Sequence, residues 1–138
     1  MKKYAGINIQ YPISRLILEG TKIIETRTYP IPPAYIGKEM VLIETPGKEG
    51  KFKARMVGLV TFGESFKYPS ERAFYRDSAR HCVDRKSPWA WAPDRPKWGW
   101  PVLSVRAFNR EIPLKRRSGI RYAKDILVPK LALPKPGN

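Results

Sequence analysis

Gly20-Thr21-Lys22-Ile23-Ile24-Glu25-Thr26-Arg27 is the stretch on which the reading of this chain turns. Two cations flank one carboxylate, and a glycine stands ahead of all three. Ile23 to Thr28 is rich in Ile and Thr, which favours a strand. Alternate residues of a strand share a face. Glu25 and Arg27 therefore point the same way as Ile23, while Ile24, Thr26 and Thr28 point the other way. Lys22 has the opposite parity to Glu25 and joins the pair only from a turn before the strand, a turn that Gly20 permits. A carboxylate between two cations stays ionised. The cations can in turn hold a phosphate or a developing oxyanion. An ordinary surface ion-pair cluster is the plainer reading of the same residues.

Outward from this stretch, Lys3 to Ile9 reads as a strand with Tyr4, Gly6 and Asn8 on one face and Ala5, Ile7 and Ile9 on the other. Tyr11 to Glu19 reads as a short helix: Pro12 suits its first position, Ile13, Leu16 and Ile17 form an apolar stripe, and Gly20 ends it. Tyr29-Pro30-Ile31-Pro32-Pro33 is an extended crossing segment. Glu39 to Glu44 is a strand, with Met40, Leu42 and Glu44 alternating against Val41 and Ile43. Phe52 to Phe66 carries a long strand pattern in which Phe52, Ala54, Met56, Gly58 and Val60 share one parity, with a bend expected at Gly58 or Gly63. Pro69 to Arg80 reads as a second helix, with Phe74 inward. Val102 to Phe108 and Tyr122 to Val128 close the series. Strands interrupted by two helices, without a β-α-β-α rhythm, predict an α+β domain. The expected form is a small, mostly antiparallel barrel with two short helices outside it. The domain is expected over residues 1–128, with 129–138 a loose proline-rich tail.

The chain of 138 residues carries a formal net charge of +15. From Arg106 onward, nine Lys or Arg stand against Glu111 and Asp125, a net of +7. Such charge favours a polyanion as partner. No basic amphipathic helix and no run of about 18 apolar residues is found, so a membrane is not the expected partner. The single Cys82 rules out an internal disulfide and fits a reducing compartment. With no secretory pattern after Met1, the expected location is the cytoplasm. No cofactor is expected, and no metal: there is no C-x-x-C, no H-x-x-x-H and only one histidine.

The four tryptophans fall within twelve positions, 89 to 100, among prolines. Indole faces stack on unpaired bases, and cations between them hold phosphates. Trp89, Trp91 and Trp98, with Arg95 and Lys97, are therefore candidate nucleic-acid contacts. Trp98 and Trp100 share strand parity, and core packing is the competing role for both. Lys115, Arg116 and Arg117, followed by Arg121 and Lys124, form the densest basic run, either a backbone-tracking patch or a solvated loop. His81, beside Cys82 at a helix end, reads as structural more readily than as catalytic.

The pattern G-x-K-x-x-E-x-R at Gly20 to Arg27 resembles the signature of the ASCH family, a branch of the PUA-like superfamily. The order of helix, motif strand, central strands, second helix and the Trp98-Gly99-Trp100 strand is similar to the family order from Tyr4 to Val128. The resemblance implies a PUA-like barrel and an RNA-engaging cleft lined by Lys22, Glu25 and Arg27. Some ASCH-family proteins are reported as ribonucleases, which makes metal-independent cleavage of single-stranded RNA the first expectation. Glu25 would be the base there, Lys22 and Arg27 would stabilise charge, and His81, Tyr4 or Tyr29 would be the proton donor. The second expectation is a non-catalytic reader of RNA or modified bases, with DNA still open as a ligand. The third is hydrolysis of an acylated cytidine. One related branch uses a Lys and a Thr nucleophile for that reaction, and the Thr position is Glu25 here.

Overall fold

The computed structural model describes residues 2–114, 122–129 and 132–133. Strand β1 (Lys2–Gln10) leads into helix α1 (Ile13–Leu18). Pro12 caps that helix from outside instead of opening it. Gly20, at φ +80°, ends the turn, and the amides of Thr21 and Lys22 both return to the Leu16 carbonyl. Only glycine adopts this left-handed geometry without penalty. Strand β2 (Ile24–Arg27) follows at once, so Lys22 sits in the turn ahead of it, as its parity requires. A 3-10 turn (Pro33–Tyr35) leads to β3 (Glu39–Thr45), β4 (Arg55–Phe62) and β5 (Phe66–Lys67).

The helix expected from Pro69 to Arg80 is two helices, α2 (Glu71–Arg76) and α3 (Ser78–His81), broken at Asp77. Short Asp side chains compete for local hydrogen bonds and favour such breaks. Here the Asp77 carboxylate accepts from the Tyr68 hydroxyl and the Arg80 guanidinium. The fold thus carries three short α-helices among the described residues, not two. Strand β6 (Trp98–Pro113) and β7 (Tyr122–Val128) complete it.

The strands lie in the order β2-β6-β4-β3-β1-β7, with β5 also on β6. All pairs are antiparallel except β1 with β3. The architecture is α+β with a mixed sheet. Among the described residues no ladder joins β2 to β7, so the sheet does not close into the expected barrel. Among the described residues β7 pairs with β1 from Lys2 to Ile7. Farther along, β1 meets β2 through a side chain, where Arg27 Nη2 donates to the Asn8 carbonyl at 3.0 Å.

Both faces of the sheet are covered. Met40 and Leu42 join Ile7, Ile9, Ile17, Phe62 and Trp100 in one cluster, while Val41 and Ile43 join Tyr4, Met56, Leu59 and Phe108 in another. The unbroken apolar run of β3 follows from this double burial. Register shifts at Gly58 reverse the parity of β4, so Met56 and Val60 occupy opposite faces although they share sequence parity. Of the expected tail, Ala132 and Leu133 lie against the second cluster.

Glu44, fully buried at the end of β3, fastens α1 to the sheet. It accepts from Ser14 Oγ at 2.6 Å and pairs with Arg15 and Arg55 at 2.9 Å each. Burial alone would raise its pKa; the hydrogen bonds from Ser14, Arg15 and Arg55 outweigh that and hold it below the ordinary value. A depressed carboxylate contributes stability above its unfolded pKa of about 4.3 and loses it as pH falls through the folded value. Glu44→Ala should therefore cost about 3–5 kcal/mol at neutral pH, by denaturant midpoint. The deficit relative to wild type should shrink on acidification below about pH 4.

Candidate nucleic-acid interface

Strand β2 is four residues long and is held by β6, with Glu25 opposite Trp100 and Arg27 opposite Trp98. This pairing places the charged motif at the margin of the first apolar cluster. Lys22 is 3% exposed and Glu25 6%. Buried charges persist only when paired and hydrogen-bonded. Lys22 Nζ donates to the His81 carbonyl and lies 3.8 Å from Glu25 Oε1. Arg27 engages the other carboxylate oxygen, Oε2, through Nε at 3.0 Å and Nη2 at 2.9 Å. Burial lowers the Lys22 pKa, with Glu25 opposing the shift and Arg27 adding to it. The expected trio of Lys22, Glu25 and Arg27 is one ion cluster.

The cluster lines a cleft of about 240 Å³. Asn8 and Gln10 of β1, Thr45 of β3, Thr26 and Trp89 complete its polar and aromatic walls. The cleft thus occupies the place where the sheet fails to close. Asn8, Gln10 and Thr45 were not singled out from the sequence; the only signal was a polar residue at each strand end, common at any rim. Thr26 also reaches the cleft despite its opposite parity.

The tryptophans divide. Trp100 is fully buried, between Tyr29 and Phe62 edges, and its indole N–H donates to the Tyr29 carbonyl. Trp98 is half-buried against the first cluster. Trp91 packs on Phe74 in a third cluster with Tyr68 and Val83. Trp89, 43% exposed, is the indole that lines the cleft. Lys97, buried, donates from Nζ to the Trp89 carbonyl at 2.8 Å and so ties the tryptophan loop to β6. Its pKa is lowered first by burial, then by Arg95 and Lys22. Arg95 is exposed beside it. Lys115, Arg116 and Arg117 lie outside the described residues.

His81 is buried and stacked on Phe74, with ring centroids 4.2 Å apart. Nδ1 accepts from the Val83 amide at 3.0 Å, so Nε2 carries the proton and donates to the Phe74 carbonyl at 2.7 Å. Both ring nitrogens are occupied, and burial lowers the pKa, which removes His81 as a proton donor to a ligand. Tyr4 belongs to the second cluster and does not line the cleft, so it is removed by its position. Among the described residues no three His, Cys, Asp or Glu side chains gather as a metal site, and no helix is long and apolar enough to cross a membrane.

Trp89→Ala should change stability by less than about 0.5 kcal/mol, whereas Trp100→Ala should cost about 3–5 kcal/mol. Chemical denaturation of the two variants separates the wall of the cleft from the core.

No family model and no curated protein matches the chain. Solved structures do. The ASCH protein from Zymomonas mobilis matches with a TM-score of 0.66 at 12% identity, over 87% of this chain and 85% of that one. Two mutant forms of the same Zymomonas mobilis protein match with TM-scores of 0.64 and 0.65, each at 12% identity. They cover 93% and 95% of this chain, and 89% and 94% of theirs. With the Gly20–Arg27 motif lining a cleft in a sheet of this order, the chain has the fold of an ASCH domain.

Proposed function

We propose that this protein binds single-stranded RNA by seating one unpaired base in the cleft walled by Trp89 and floored by Lys22, Glu25 and Arg27. The observation that carries the reading is the pairing of an exposed indole with a buried ion cluster in one cleft of nucleobase size. The indole supplies stacking of about 1–3 kcal/mol. The carboxylate has acceptor sites beyond its two cations, and the Lys22 ammonium has a third proton for a base carbonyl. The net charge of +15 adds affinity for the backbone that salt should weaken.

The lowered pKa of Lys22 favours a second reading, metal-independent cleavage of the bound strand. Glu25 accepts the proton of a 2′-hydroxyl as its oxygen bonds to phosphorus. The bond from phosphorus to the 5′ oxygen breaks, and Lys22 gives that oxygen a proton. Arg27 stabilises the phosphorane charge. The products are a 2′,3′-cyclic phosphate and a 5′-hydroxyl end. The acylated-cytidine reading gains nothing comparable, because Glu25 stands where the related branch has its Thr.

Labelled single-stranded RNA, single-stranded DNA and duplex, incubated in EDTA, test both readings at once. Single-stranded RNA should bind tightest, and Trp89→Ala should weaken it about 5- to 150-fold. Equal binding of duplex, or an unaffected Trp89→Ala variant, would remove the base-insertion reading. Cyclic-phosphate product that vanishes in Glu25→Gln, with binding retained, establishes cleavage; product of undiminished yield in that variant excludes Glu25 as the base. Affinity should also fall as pH rises through the lowered pKa of Lys22, where its positive charge is lost. Lys22→Met should flatten that profile.

A further inference from the structure

Three hollows meet at Trp89. The central cleft shares Gln10 and Ile13 with a hollow of about 530 Å³ beside Tyr11 and Pro12, and shares Thr26 and Arg27 with one of about 440 Å³ beside Thr28 and Tyr29. Trp89 borders all three, so they adjoin as a trough around one indole. The two flanks differ in charge. In the Tyr11 hollow Lys48 and Glu49 cancel. The Tyr29 hollow is lined by Arg27, Arg95 and Lys97 and by no acid.

Lys97 is buried beside Arg95, and its ammonium faces the Trp89 carbonyl instead of a carboxylate. Its lowered pKa registers the crowding by burial, Arg95 and Lys22. Arg27 is already paired with Glu25, so Arg95 and Lys97 carry the excess positive charge of this lining, and an anion in the hollow offsets the cost of bringing them together. Thr26 and Thr28 also line this hollow, and threonine is a residue type that donates to phosphate oxygens.

We propose that the trough has a fixed polarity: the base in the central cleft, its phosphate in the Arg27–Arg95 hollow, and the adjoining nucleotide in the neutral Tyr11 hollow. The ligand is then a phosphate-bearing oligonucleotide of at least about two residues, not a free nucleoside. This rests on the reading of the cleft as an RNA site. Neither flank alone would impose the order. Their difference assigns the phosphate and the adjoining nucleotide to opposite sides of Trp89, since a phosphodiester gains charge-assisted hydrogen bonds on one side and not on the other.

Binding of a nucleoside, its monophosphate, a trinucleotide and inorganic phosphate, followed by tryptophan fluorescence and calorimetry, tests this. The monophosphate should bind about 10- to 100-fold tighter than the nucleoside. Arg95→Ala should abolish that gain while leaving nucleoside affinity and the thermal midpoint unchanged, and Arg95→Lys should restore part of it. The further gain from monophosphate to trinucleotide should survive in Arg95→Ala. A monophosphate no tighter than the nucleoside overturns the polarity, as does an Arg95→Ala variant that weakens both equally. Inorganic phosphate binding as tightly as the monophosphate overturns it too, since the base would then contribute nothing. Where single-stranded RNA binds wild type and these comparisons fail, the polarity alone is lost; where no nucleoside, nucleotide or RNA binds, the RNA reading is lost with it.

Discussion

A lysine ammonium held inside the protein sets the terms for everything around it. Lys22 has too little water to remain charged unaided, and two neighbours compensate: the His81 carbonyl and the Glu25 carboxylate. The first comes from α3 and the second from β2. The charge therefore welds the helical layer to the short motif strand. Glu25, also buried, needs Arg27 on its other oxygen, and Arg27 reaches on to the Asn8 carbonyl of β1. One buried charge thus propagates through four elements. Removing any partner leaves another charge uncompensated, which is why such a cluster is stiff. A stiff arrangement of donors and acceptors is what recognition of a flat, polar-edged base requires.

The same chain of contacts explains the open sheet. If β2 continued the backbone ladder to β1, interstrand spacing would fall to about 4.8 Å and no base could enter. The Arg27 side chain spans the gap instead, longer than a backbone hydrogen bond and anchored at both ends. The cleft is the volume this leaves. Trp100, directly across from Glu25, keeps the apolar side of the gap filled, and Trp89 walls its mouth. Two tryptophans eleven positions apart thereby serve opposite ends of the same opening, one for the core and one for its rim.

Much of this was legible in the residues. The turn at Gly20, the parity of Glu25 and Arg27 and the alternation of Met40, Leu42 and Glu44 follow from chirality and pleat, which act over a few residues. What escaped is non-local or depends on one added residue. The bulge at Gly58 reverses a strand's faces, and a glycine marks where that can happen without saying that it does. Asp77 splits a helix because Tyr68 and Arg80 are present to bond its carboxylate, a fact of tertiary packing. Closure of the sheet depends on pairing between strands far apart in sequence, which no local pattern encodes. Trp89 and Trp91 look alike in sequence, two residues apart among prolines. They part because Trp91 has Phe74 and the Tyr75 hydroxyl to meet, whereas the backbone of Trp89 is claimed by Lys97 and its ring is left facing out.

In the proposed site Lys97 would serve stability and recognition together. Its stem is buried and its head bonds a carbonyl, so by contacts it is a structural lysine. A neutral donor would serve that bond at lower desolvation cost. The retained charge adds nothing to the loop that a hydroxyl or amide could not add, yet it raises the positive potential of the hollow it borders together with Arg95 and Arg27. Potential is felt across several ångströms in a low-dielectric wall, without direct contact. In the proposed site, a buried cation that positions Trp89 and biases the adjoining hollow toward anions would couple the two halves of a nucleotide, base and phosphate, through a single side chain.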